Sequence, residues 1–246
     1  IEGRPQCSGE AERPCKAAKM RRMAKQGKSQ SPKTSAHGAE GTDFSPNVPE
    51  LQLADHFLIA MPSMLDPVFG GTVVYVCEHN ADGALGMIIN RPTDMTMDVL
   101  FDRLELALEI NPHGAMPAGP VMFGGPVQVE RGFVLHEPVR MADPAEDGGS
   151  IYASTLTVPD GLEMTTSRDV LEALASGAGP RRVLITLGYA SWGEGQLESE
   201  LAENTWLTVP AQPEVVFDTP IAQRYDKALS LLGLQAWMLS PEAGHA

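Results

Sequence analysis

Positive charge is scarce in most of this chain. From residue 50 to residue 246, nine Lys and Arg face 27 Asp and Glu, and Arg181-Arg182 is the only adjacent basic pair. A body this acidic repels a phosphate backbone at long range, so direct nucleic-acid binding by the body is not expected. Long apolar runs are missing too. None approaches the roughly 20 residues that span a bilayer, and no membrane association is expected. Cysteine is rare: Cys7 and Cys15 fall in the first 49 residues, which leaves Cys77 as the only thiol of the body. A lone thiol forms no internal disulfide, which fits a reducing compartment. No apolar core of about 7–15 residues marks a secretory signal near the start, so the body reads as cytoplasmic.

The first 49 residues have little that could build a core. Phe44 is their only aromatic residue, and nine Lys and Arg there outnumber five Asp and Glu. Such a segment cannot offset the entropy of ordering, and residues 1–49 are expected to be a disordered tail. The opening IEGR spells a protease-recognition tetrapeptide common in fusion proteins. Met20 or Met23 is the expected natural start, with a basic transit peptide as the alternative.

The chain as a whole has a composition of ordinary globular kind, 43% hydrophobic and 20% charged. Residues 50–246 are expected to form a single domain. Short apolar runs alternate with turn residues. FLIAMP (57–62), GGTVVYVC (70–77) and ALGMIIN (84–90) read as strands. NADG between the last two is a reversal signal, with Asn80 and Gly83 suited to positive φ. MDVLFDRLEL carries Met97, Leu100, Phe101 and Leu104 on one helical face. TSRDVLEALASG reads as a helix with Ser167 as N-cap and Gly177 as its stop. RRVLITLGYA is a buried strand, followed by a loop and the helix GQLESELAENT. TWLTVPA is a further strand, and IAQRYDKALSLLG a terminal helix. Strands joined by tight turns and mixed with helices predict an α/β fold with a mixed sheet.

The chemistry-bearing stretches are few. CEHNADGALGMIINRP (77–92) is either a reactive site or a hairpin whose polar residues serve the turn. LGYASWGEGQLESE (187–200) runs a strand through glycines into a helix, a common place for phosphate. No Lys follows the glycines, and Glu194 and Glu198 compete with an anion there. A nucleophile elbow around Ser191 would need glycine where Tyr189 stands. Cys77, His79 and His136 are conceivable zinc ligands, since an i, i+2 pair shares a strand face. No metal-binding spacing accompanies them, and no metal or cofactor is expected. Glu130 and Glu137, two among 27 acids, carry no signal of their own.

The hairpin 77–92, FGGPVQVERGFVLH and GYASWGEGQLESELAENTWLTVPA, taken in that order, resemble the bacterial YqgE/AlgH family from about Leu51 to Gly233. The resemblance implies a cytoplasmic protein with a three-layer α/β/α sandwich and an added α-β subdomain. The family's biochemical activity is unassigned, and its name attaches it to regulation of alginate production. No catalytic set transfers. The implied role is regulatory, transcriptional regulation included, or one of interaction with a protein partner. A small-molecule-binding module is the alternative, and a hydrolytic enzyme or a redox enzyme using Cys77 comes third. The motif positions that carry over as ligand-binding candidates are Asn80, Gly86, Asn90, Gly124, Gly125, Pro126, Trp192, Gly193, Gly195 and Gln196. If their loops converge, they form a polar pocket floored by Trp192; otherwise they are three turns fixed by backbone geometry.

Overall fold

The computed structural model describes residues 51–107, 119–139 and 150–239. The tail expected over residues 1–49 lies outside the described residues. Ten strands run β1 (His56–Ala60), β2 (Val73–Asn80), β3 (Gly83–Ile88), β4 (Pro92–Thr96), β5 (Pro120–Phe123), β6 (Val127–His136), β7 (Thr155–Thr157), β8 (Glu163–Thr165), β9 (Val183–Gly193) and β10 (Trp206–Pro210). Five α-helices accompany them: α1 (Met97–Arg103), α2 (Asp169–Ala175), α3 (Gln196–Ala202), α4 (Pro213–Phe217) and α5 (Arg224–Leu231). The fold is mixed α/β, built on a curled sheet in the order β10-β1-β2-β3-β9-β6-β8-β7. All but one of its strand pairings are antiparallel; the exception is β5 beside β9. No described helix is long and apolar enough to cross a membrane.

Strand alternation sorts the apolar side chains onto two faces. Val73, Tyr75 and Cys77 of β2 point to the core that holds Val215 and Val216 of α4 and Ala228 and Leu229 of α5. Val74 and Val76 point the other way, to a core shared with Trp192, Trp206 and Leu197 of α3. Met97 and Phe101 of α1 and Val170 and Leu174 of α2 pack in a third cluster with Val134 and Ile185.

β9 is the organising strand, and it is longer than its sequence suggests. The SWG stretch after RRVLITLGYA, expected as the start of a loop, continues the strand to Gly193. The first half of β9 lies between β5 and β6, with Thr186 opposite both Met122 and Phe133. Its second half pairs with β3, from Gly86↔Ala190 to Gly83↔Gly193. Gly188, at φ 72°, allows the kink between the halves.

The helix over TSRDVLEALASG begins later than expected. Arg168 occupies the N-cap position and makes no side-chain cap. Ser167 instead donates to the Ala153 carbonyl and to Asp169. Gly177 ends the helix at φ 73°, as its position predicts. The 94–103 region shows a cap that periodicity did not reveal, with the Thr96 hydroxyl accepting from the Val99 amide.

Candidate functional site

The hairpin at 77–92 is closed by its own polar residues. Asn80 does not need positive φ; its Oδ1 accepts from the Asp82 amide at 2.8 Å, and Gly83 alone takes φ 130°. A Cβ at Gly83 would lie 2.1 Å from the Trp192 carbonyl oxygen, so glycine permits the approach of β3 to β9. Asn90 holds the other end. It accepts from the Val73 amide at 2.9 Å and donates to the Gly71 carbonyl at 3.0 Å.

A bulge in the β2–β3 pairing between Val76 and Glu78 breaks the alternation of β2. Cys77 therefore faces the α4–α5 core, while His79 reaches α3. The i, i+2 spacing had placed them on one face; the extra residue separates them. His79 Nδ1 accepts from the Leu53 amide at 3.2 Å, so the ring proton sits on Nε2 and is donated to Glu198 at 2.9 Å. His136 is fully buried, with Nδ1 donating to the Glu137 carbonyl at 2.8 Å and Nε2 bound to the Thr165 hydroxyl at 3.0 Å. Burial holds His136 below the usual histidine range and raises the Cys77 thiol far above its ordinary value. Among the described residues no group of three His, Cys, Asp or Glu is placed to hold a metal ion.

FGGPV is a crossing rather than an open turn. β5 and β6 lie on opposite edges of β9, so the chain joining them must pass over it. The passage is made at Gly124-Gly125. A Cβ on Gly125 would sit 2.2 Å from the Tyr189 carbonyl carbon, and one on Gly188 would sit 2.4 Å from the Gly125 carbonyl oxygen. The Gly124 amide donates to the Leu187 carbonyl, and the Gly124 carbonyl accepts from Ile88. Its N–H is thus used within the sheet. Gly86 serves a similar approach, since a Cβ there would lie 2.7 Å from Val74 and 2.8 Å from the Tyr75 carbonyl oxygen.

Trp192 is 3% exposed and stands in an aromatic group with Phe69 and Trp206, ring centroids 6.0 Å from each. Its indole N–H donates to Glu200 Oε2 at 2.9 Å, and that of Trp206 donates to the same atom at 2.8 Å. Gln196 completes the arrangement: its amide N–H donates to Glu200 Oε1, and its Oε1 accepts from the Gly193 amide. One carboxylate on α3 thereby ties two strands to the helix. Charge-assisted bonds of this kind are about twice as strong as neutral ones. Gly195, in the left-handed region at φ 69°, begins α3.

The ten candidate positions lie on the β2–β3 hairpin and just past it (Asn80, Gly86, Asn90), at the crossing (Gly124, Gly125, Pro126), and from the end of β9 into α3 (Trp192, Gly193, Gly195, Gln196). Asn80, Gly193, Gly195 and Gln196 are exposed at the end of the sheet, and Pro126 is exposed beside the crossing. Gly193 lies four residues beyond the crossing at Tyr189, about 13 Å at the usual strand rise. Two clefts of the described body have other linings. One, of about 400 Å³, is bordered by Asp55, Glu137, Asp160 and Pro213. Burial raises the Asp55 carboxyl there, and Tyr75 donates to it at 2.9 Å. The other, of about 420 Å³, lies between α4–α5 and strands β5 and β9, with Arg224 in its wall. Arg224 and Glu200 were not singled out in the sequence. Arg224 had a signal: it falls i+3 from Ile221 and i−4 from Ala228, on the apolar stripe of the last helix.

These features define a mixed α/β protein with a curled sheet and a glycine-locked crossing over its longest strand. The chain belongs to the AlgH-like family, whose model matches residues 57–237. A UPF0301 protein of Variovorax paradoxus is 64% identical over 197 residues, covering 80% of this chain and 96% of the relative. One from Verminephrobacter eiseniae is 63% identical over 196 residues, with the same coverage. The solution structure of the AlgH protein from Pseudomonas aeruginosa matches with a TM-score of 0.59 and 45% identity, over 82% of this chain and 98% of that one. A crystal structure of a Corynebacterium diphtheriae protein, 19% identical, matches with a TM-score of 0.59 over 78% of this chain and 93% of its own, and bears on the fold alone.

Proposed function

We propose that the protein acts by binding rather than by catalysis, as a cytoplasmic regulatory or interaction protein that works through a protein partner. One observation carries this reading: Cys77, His79 and His136, the side chains the sequence offered for metal or redox chemistry, are committed to holding the fold. The Cys77 thiol is sealed in the core, and His79 and His136 each have both ring nitrogens engaged. The AlgH name of the Pseudomonas aeruginosa relative, with the regulation of alginate production that the resemblance brings, supports the same direction. Any effect on transcription would pass through the partner, because the acidic body opposes DNA. The finer layering, a three-layer α/β/α sandwich with an added α-β subdomain, is part of the proposal. Its support is that α4 and α5 pack on one face of the sheet and α3 on the other.

The test is in-cell crosslinking in a bacterial host, followed by rebinding of each captured protein to the purified chain. A partner that rebinds at micromolar concentration supports the reading. Recovery of none that rebinds overturns it. A second reading, a small-molecule-binding module, keeps the ten motif positions as its sequence-based candidates. One structural observation favours it at another place, the cleft of about 420 Å³ beside Arg224.

A further inference from the structure

Arg224 is 6% exposed and pairs with no carboxylate among the described residues. Its Nε donates to the Thr219 carbonyl at 3.1 Å, and its Nη1 to the Ile89 carbonyl. Both acceptors are neutral. Nη2 makes no hydrogen bond among the described residues, yet it is not one of the fully buried unsatisfied atoms, and the side chain lines the cleft. Desolvation alone lowers the guanidinium to about 10, which leaves it charged at neutral pH. A buried cation ordinarily has a paired anion or pays heavily for lacking one. Nearby Arg182 shows the ordinary solution, bonding Glu137 at 2.7 Å and also Asp218.

Met97, Met122, Leu184, Val216 and Ile221 supply the apolar part of the wall, and about half of the surface facing the cleft is polar. Asp218 also borders the cleft, but its carboxylate is taken by Arg182. A ligand there meets one guanidinium edge that no described carboxylate neutralises, with the apolar side chains of Met122, Val216 and Ile221 on the same wall. We propose that the cleft binds a small organic anion, a carboxylate carried on an apolar body, with Arg224 as its anchor. The proposal rests on the ligand-binding reading and names its chemistry. A polyanion fits less well, because the body's strong negative charge opposes it at long range and Arg224 is the one cation lining the cleft among the described residues.

The test uses the full chain with four probes: hexanoate, hexanamide, hexanol and inorganic phosphate. Binding is read by amide chemical-shift changes and by the melting temperature. Hexanoate is expected to bind saturably, with changes centred on residues 216–224, and to raise the melting temperature; hexanol, hexanamide and phosphate are expected to do neither. Arg224→Gln should weaken hexanoate roughly tenfold or more, the usual loss for a charged hydrogen bond. Because Arg224 also supports two carbonyls, a second variant, Ile221→Trp, fills the cleft and leaves the guanidinium in place. It too should lose hexanoate. Equal binding of hexanamide and hexanoate would overturn the anion proposal while leaving the cleft a ligand site. Binding of phosphate without hexanoate would overturn the organic-acid class. No saturable change with any probe would overturn the site, and the partner-binding reading would stand apart from that result.

Discussion

The crossing of the Gly124-Gly125 segment over β9 can be weighed with two alanine substitutions at nearly the same backbone conformation. Gly188 has φ 72° and Gly195 has φ 69°. In both, an alanine costs about 1–2 kcal/mol for the left-handed conformation, partly offset by about 0.4–1 kcal/mol from the stiffer unfolded chain. The environments differ. A Cβ at Gly195 meets nothing within 4 Å, whereas at Gly188 it meets the Gly125 carbonyl oxygen at 2.4 Å and that of Val127 at 2.8 Å. Neither oxygen can retreat without shifting the segment that crosses the strand, so overpacking should add about 1–3 kcal/mol. For a body of this size each kcal/mol moves the melting temperature by about 2–4 °C. Gly195→Ala should therefore lower it by about 3 °C, and Gly188→Ala by about 10 °C. Urea midpoints with unchanged slopes would show that the effect lies in the native state. Gly125→Ala strains the same crossing, with a Cβ 2.2 Å from the Tyr189 carbonyl carbon. Combined with Gly188→Ala it should cost less than the sum, because one displacement relieves both clashes. Equal losses for Gly188→Ala and Gly195→Ala would refute the crossing as the reason for the glycine.

Three further outcomes are expected. Trp192→Ala should cost roughly 3–5 kcal/mol in denaturant melts, the usual penalty for a buried Trp, whereas a loss near 1 kcal/mol would mean that the indole floors an open pocket. Cys77, in a Cys7→Ser, Cys15→Ser background, should resist a disulfide-exchange reagent in the folded protein and react at once in denaturant; fast native labelling would contradict its burial. Burial lowers His136, so the unfolded chain binds the extra proton first as pH falls. Its contribution is fully present above the unfolded value near 6.5 and is lost as pH falls toward the folded one. Urea midpoints should drop between about pH 7 and pH 5, and His136→Gln should flatten that slope; an unchanged slope would remove His136 as its source.

Much of the sheet was legible in the sequence. The runs at 57–62, 70–77 and 84–90 fall on β1, β2 and β3, and TWLTVPA on β10, because apolar and β-branched residues bounded by turn signals leave few other states. Helix α4 was missed: five residues, PEVVF, are too few to show a helical period. The end of β9, from Ser191 to Gly193, was missed for a different reason. Glycines at 188, 193 and 195 read locally as a loop, yet Gly188 serves an approach by a segment more than 60 residues earlier in the chain. A close backbone contact leaves no pattern at either partner beyond the glycine itself. The bulge in β2 is equally silent, and it moved His79 away from Cys77. Among the site candidates, Asn80 and Asn90 were legible as hairpin residues. The role of Glu200 was not, because its three donors come from β9, β10 and α3 and meet only in the folded chain.

The two arginines near α4 differ in how the fold meets their charge. Arg182 lies partly exposed, bonds two carboxylates and stacks over Phe217 at 5.3 Å. Its charge is spent on joining β9 to the end of α4, and a surface network of that kind contributes modestly to stability. Arg224 is more deeply buried and has only carbonyls for partners. If its sole task were to cap those carbonyls, an uncharged donor would serve with less desolvation, because buried charge is costly and buried amide groups are less so. Retaining a guanidinium there makes physical sense when an anion completes it. The glycine crossing, the Glu200 clamp and the closed hairpin account for their residues through the fold alone. Among the described residues, Arg224 is a buried cation that no carboxylate within the fold neutralises.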